Sequence, residues 1–363
     1  MPATASNVVH LSFPSRAQSR DARREALLEG FAQRRRDPGD VFWLKENAEV
    51  LNIFECTGQR LTEEALASHR AVYDSLEQRL GFFPQYYRFF LSICLDLEDL
   101  GMPGNKGDAL VDWACAQGLA QAELSDLQRA ESRRLMLRRG RDPFGTSEEL
   151  TERLHAFIAR SATFVMPNKK AAYELTHILF YLSEYGRKTP QLPSQVKESL
   201  NFAGTLAYLE CNADLLAEIC VALRHAGLAV PQLWDDWLVR ETHGFAVQGG
   251  EGAAAQDDYH EYLVSNWALA TAGHDTFLHT IPEGTPQFHA RPGRAGPLRR
   301  MSHCLLSLEG ARSGDWHHMR ERMFAALESD AQIAHLRAAE ASCTDFHDFF
   351  AGFARTNMVL RAS

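Results

Sequence analysis

The chain has 363 residues, 45% of them hydrophobic and 23% charged, with a formal net charge of −9. That apolar share is ordinary globular usage and excludes wholesale disorder. The acidic balance argues against nucleic acid as a partner, because phosphate binding needs a basic face. No run approaches the ~18–20 uninterrupted apolar residues of a spanning helix, so no membrane segment is expected.

Apolar residues recur at spacings of three and four through most of the chain, which reads as helix after helix. Residues 1–24 read as a flexible tail. A first helix is expected over Ala22–Arg35, stopping at Asp37-Pro38-Gly39, and a second over Val41–Cys56. Thr62 then caps Glu63–Leu80. Pro84 opens Gln85–Leu100, whose aromatic residues within 82–90 read as core, and Gly101 closes it. Asp108–Gln117 and Gln121–Arg138 form a pair ending in an arginine run, 133–141, that reads as a solvated helix end. Thr146 is expected to cap Ser147–Ala162.

Pro167 precedes the most informative helix, Asn168–Arg187, which carries His177 among aromatic and aliphatic neighbours. Ser194–Leu209 and Asn212–Ala226 read as one long or kinked helix ending at Gly227. Gln232–His243 is a short helix, Val247–Gln256 a flexible loop, and Asp257–Ala272 a strong helix. Gly273–Pro297, rich in Gly, Pro and His, is the longest irregular stretch, of a kind that often carries function. Helices resume at Leu298–Glu309, Trp316–Leu327, Ala331–Ala339 and Phe346–Met358. The expected fold is all-α, a packed array of antiparallel helical pairs that could close into a partial α/α barrel or toroid. A ferritin-like or haem-oxygenase-like bundle is the alternative. Residues 25–162 make an N-terminal half and 163–363 a C-terminal half carrying the site, compatible with a single domain.

Seven cysteines occur without a Cys-x-x-Cys pair, which suits small buried thiols in a reducing cytoplasm. No phosphate-cradling loop or Gly-x-Ser-x-Gly elbow is present. Cys211 and Cys220 are poor nucleophiles, because nearby carboxylates raise a thiol's pKa.

Twelve of the fifteen histidines lie at or after position 177. Glu174-x-x-His177 and Asp257-x-x-His260 each point a carboxylate and an imidazole the same way from a helix. Between them lies Glu210-Cys-Asn-Ala-Asp214-Leu-Leu-Ala-Glu218, with carboxylates one turn apart. His177, His260 and Asp214 or Glu218 could form a two-histidine, one-carboxylate centre open to oxygen at iron. Glu174 and Asp257 would be further ligands or outer partners. Tyr173, Tyr181 and Trp267 would shape the pocket. The expected function is a metal-dependent oxidase or oxygenase, with mononuclear iron favoured over a di-nuclear site, acting on a small molecule or peptide. The alternatives are a non-catalytic scaffold for a peptide or protein, and metal-free acid–base or cyclisation chemistry at His177.

Three segments carry a family resemblance: Tyr173-Glu-Leu-Thr-His-Ile-Leu-Phe-Tyr-Leu-Ser-Glu-Tyr-Gly186, Asn212-Ala-Asp-Leu-Leu-Ala-Glu218 and Asp258-Tyr-His-Glu-Tyr-Leu-Val264. They resemble the signatures of an uncharacterised bacterial all-helical family with Thr-His-x-x-Phe-Tyr-Leu-Thr-Asp-Phe-Gly, Asp-Leu-Leu-Ala-Glu and Tyr-His-x-x-Leu-Val blocks. Some members accompany peptide natural-product pathways. Here Ser183, Glu184 and Tyr185 replace Thr, Asp and Phe. The resemblance implies that His177, Asp214 and His260 share one site, and it implies no reaction.

Overall fold

Capping side chains set where eight of the seventeen α-helices among the described residues begin. The computed structural model describes residues 18–145, 148–251, 256–293 and 295–356. Helix α1 (Arg20–Glu29) starts behind Ser19, inside the stretch expected as tail, and runs into a π-helical turn over Gly30–Arg34. Residues 1–17 of that tail lie outside the described residues. Helix α2 (Val41–Cys56) has the bounds read from the sequence, with Asp40 Oδ1 accepting from Phe42 N at 2.9 Å. Thr62 caps as expected, but a 3-10 turn divides the expected helix into α3 (Glu63–Leu66) and α4 (Arg70–Phe82).

Helix α5 (Tyr87–Leu100) stops at Gly101, which takes the left-handed conformation that ends helices. Helix α6 (Lys106–Ala116) is followed by α7 (Asp126–Leu137), which starts later than Gln121 because Ser125 Oγ accepts from Gln128 N. Helix α8 (Glu149–Ile158) comes next; the expected cap at Thr146 lies outside the described residues. Asn168 caps α9 (Lys169–Leu182) through Ala171 N.

The stretch read as one long helix is a hairpin of α10 (Val196–Glu210) and α11 (Ala213–His225). Cys211 turns the chain at φ 58°, and Asn212 caps the return helix through Leu215 N. Helix α12 (Gln232–Thr242) precedes β1 (Ala246–Gly250), and α13 (Tyr259–Thr271) precedes β2 (Thr285–His289). The strands pair antiparallel, Ala246 opposite His289 and Gly250 opposite Thr285. Parts of both expected loops therefore form a ladder. Helices α14 (Leu298–Ser307), α15 (Trp316–Ala325), α16 (Asp330–Ser342) and α17 (Phe346–Phe353) complete the array.

The fold is all-α in character, built of packed helix pairs around one apolar cluster reaching from Leu27 to Ala354. Helix α11 lies at its centre, packed on α9, α10, α12 and α13, while α2 packs on α5 and α13. Its Leu215–Leu223 segment is buried all round, as an apolar helix of this kind must be. No helix among the described residues is long and apolar enough to cross a membrane.

The arginine run is not a solvated end. Arg138 pairs with Asp96 and Asp99 at 2.6 Å each, Arg139 with Glu98 at 2.8 Å, and Arg133 with Asp142 at 2.7 Å. The acidic end of α5 faces the run and draws it inward. The aromatic set divides as well: Tyr87 and Phe90 are core, whereas Phe82 is 75% exposed.

Strand β2 fixes the start of α13. Arg35, fully buried, holds Asp257 through two bonds of 2.8 and 2.9 Å and donates to Pro286 O, while Phe288 N donates to Asp257. Asp257 thus belongs to an ion-pair network with Arg35 and Glu46. Removing one member of such a buried set leaves an uncompensated charge. Asp257→Ala is expected to lower stability by about 3 kcal/mol, as denaturant unfolding would read.

Candidate metal centre and its cavity

Asp214 and Glu218 are the only carboxylates on α11, one turn apart on one face. A charge on a buried helix needs a partner, and both find one. Asp214 accepts from Tyr173 Oη at 2.6 Å and bonds His260 Nδ1 at 2.5 Å. Glu218 accepts from Thr176 Oγ1 at 2.6 Å and lies 3.6 Å from His177 Nδ1. His260 Nε2 then faces two further oxygens, Glu218 Oε1 and Glu49 Oε1, each at 3.9 Å. Helices α2, α9, α11 and α13 thus converge on one group, within which Asp214, Glu218 and His260 offer ligand atoms all within 4.8 Å of one another.

The two imidazoles are oriented differently. Asp214 takes the Nδ1–H of His260 and leaves Nε2 for the cavity, the outer-partner arrangement usual for metal-bound histidine. His177 Nδ1 lies 2.7 Å from the Tyr173 carbonyl and must donate to it, which leaves its Nε2 free. His177 is also less buried than its helix suggested, with 34% of its side chain exposed.

Electrostatics reflect burial and crowding. Burial pushes Glu49 and Glu218 above the usual carboxylate range, only partly opposed by the imidazoles. Burial works the same way on Asp214, but the bonds from His260 and Tyr173 outweigh it and hold it low. Burial opposes the charged form of His260, yet the Asp214 bond and the Glu49 and Glu218 charges raise it to about 9.

His177, His260, Glu49 and Glu218 open onto a cavity of about 240 Å³ that Phe180, Tyr181, Tyr185 and Trp267 also line. Tyr173 lies behind Asp214 as its hydrogen-bond donor and is not in the cavity wall. Glu174, half-buried on α9, enters neither the group nor the wall. Asp257 is likewise absent from both, because Arg35 holds it one turn before His260. A larger cavity, about 930 Å³, lies elsewhere, lined by Trp237, Arg240, Glu261 and His335 among others; neither His177 nor His260 reaches it.

Glu49 and Thr176 were not singled out in the sequence. The signal for Glu49 was present: Lys45, Glu49 and Asn52 recur at helical spacing on α2, most of whose residues are buried, and all three line the cavity. Glu49 Oε2 is buried with no hydrogen-bond partner among the described residues, although the Tyr259 hydroxyl lies near enough to the carboxylate to favour its ionised form.

Fold and site together define a mostly helical protein with a carboxylate–imidazole group at an internal aromatic cavity. The chain belongs to DUF6902, a family described as a domain of unknown function, whose profile matches residues 5–356. No curated protein and no solved structure matches it significantly.

Proposed function

We propose that this is a metal-dependent enzyme, an iron oxidase or oxygenase acting in the cytoplasm on a small molecule or the end of a peptide. The observation that carries it is His260, locked at Nδ1 by Asp214 while Nε2 faces Glu49 and Glu218 at 3.9 Å. Two ligand atoms ~2.1 Å from one ion lie at most ~4.2 Å apart, so a cation fits between them. The unpartnered Glu49 Oε2 supports the same assignment, since a buried carboxylate oxygen is costly without a proton, donor or ion. His260, Glu49 and Glu218 would be the ligands, with Asp214 and Thr176 as their outer partners. A donor set of one imidazole and carboxylates suits iron or manganese better than a thiolate-seeking metal. Iron held there would supply oxygen chemistry, while His177, with its free Nε2 in the cavity wall, is placed to move a proton to or from substrate.

The same side chains support metal-free acid–base chemistry, because His260 is held as a cation by three carboxylates. Elemental analysis of protein purified without a histidine tag separates the two. The expected result is near-stoichiometric iron or manganese, lost in the His177→Ala/His260→Ala double variant. Metal-free protein that also refuses iron offered anaerobically would end the metal assignment and leave the acid–base one standing.

A further inference from the structure

We propose that Arg134 is a carboxylate anchor in this cavity, so that the substrate is a small organic acid with an apolar or aromatic body. The inference rests on the cavity being the active site, as above. Arg134 lines the cavity from α7, is 3% exposed and makes no ion pair among the described residues. Its Nε and Nη1 are buried without a hydrogen-bond partner. A guanidinium stays charged at any working pH, and burying it unpaired is costly.

The acidic residues around it are already engaged. Glu131, one turn earlier on α7, pairs with Arg88, while Asp96 and Asp99 are held by Arg138. Arg134 also borders a second cavity, where Glu184 pairs with Lys188 and Glu148 is exposed, so no buried carboxylate among those named is left for it and an anion from outside the chain can complete it. Its planar fork matches a carboxylate through two parallel bonds.

Two further features aim the side chain. Arg134 lies over the Tyr185 ring, 4.3 Å from its centroid, and Tyr185 stacks on Trp267 at 5.6 Å. Tyr185 holds a left-handed backbone, φ 55°, a strained conformation for a residue of that size and of a kind that collects at functional sites. Asn52 Nδ2 and Trp267 Nε1 are buried donors in the same wall, also without partners. Donors on this wall thus await an acceptor-rich group. A phosphate dianion would call for a second free cation, but Arg88 is held by Glu123 and Glu131, and Lys45 lies against Glu49. At about 240 Å³ the space falls below the ~300–1,000 Å³ of drug-sized sites, so the acid is metabolite-sized.

The test needs no metal. Phenylacetate, indole-3-acetate and hexanoate, each beside its neutral primary amide, are titrated by calorimetry into chelator-treated protein. At least one acid should bind wild type about tenfold or more tighter than its amide, as charge-assisted bonds predict. Arg134→Gln should erase that preference, and the His177→Ala/His260→Ala variant should keep it. If no acid outbinds its amide, or if the preference survives in Arg134→Gln, the anchor is refuted. Should that variant fail to fold, the Arg134 Nε–H resonance of the wild type decides: it moves on adding acid, or it stays and the anchor is refuted. None of these outcomes bears on metal content, which tests the metal assignment separately.

Discussion

Glu218→Gln is expected to stabilise the metal-free protein by about 1 kcal/mol and to weaken metal binding at least ~100-fold. The sign comes from crowding. Three carboxylates, Asp214, Glu218 and Glu49, surround the single imidazole of His260, and burial disfavours the ionised form of Glu218 before any neighbour is counted. A neutral amide keeps the shape and can still accept from Thr176 Oγ1. It removes the charge whose only use, on this assignment, is to hold a cation. His260→Ala should do the opposite to stability, lowering it by about 1–3 kcal/mol, because Asp214 loses the stronger of its partners inside the fold. Both variants should lose metal. Thermal melts with chelator present, beside metal titrations, read the pair. A Glu218→Gln protein that is less stable than wild type, or that keeps its metal, would mean that Glu218 is a structural residue.

Periodicity and punctuation carried most of the helical boundaries. Val41–Cys56 was legible because Asp40 and Thr57-Gly58 bracket an unbroken apolar pattern. The failures have local causes. Cys211 takes a left-handed turn that glycine or asparagine usually marks, so the α10–α11 break did not announce itself. The β1–β2 ladder was hidden because Ala246–Gly250 contains two glycines and its partner strand a proline, residues that argue against strand in isolation.

At the site, the part on one helix was easier to see than the part between helices. Asp214 and Glu218 share a face of α11, and His260 belongs to the second acid-x-x-His pair, so spacing alone found them. The Asp257 half of that pair misled, because the same acidic residue can serve an arginine from far along the chain, here Arg35. Glu49 comes from a helix in the half of the chain that lacks histidine clusters, and only packing of α2 against α13 brings it to His260. Arg134 was hidden inside a run of five basic residues whose other members are paired. Sequence cannot tell which arginine in such a run is left without a carboxylate.

Apparent metal affinity should rise about tenfold per pH unit up to pH 9 and then flatten. Below about 9 the folded, metal-free protein carries a proton on His260, and the ion must displace it to reach Nε2. The stability of the metal-free protein should run the other way. A histidine raised from 6.5 to about 9 contributes stability that is fully present below 6.5 and is lost as pH rises through 9. Glu49 and Glu218, also raised, lose stability in the same direction as they ionise, each across its own range. Asp214, held low, works oppositely: its contribution is present above its ordinary range and disappears only in acid. With His260 about one-third exposed, its share is about 1–2 kcal/mol rather than the full linkage value. Melts with EDTA should therefore fall between pH 6.5 and 9, while melts with saturating iron or manganese should not. His260→Gln should remove most of the decline. If chelated wild type keeps one melting temperature across that range, His260 is neutral there, and the carboxylates around it are not charged as described.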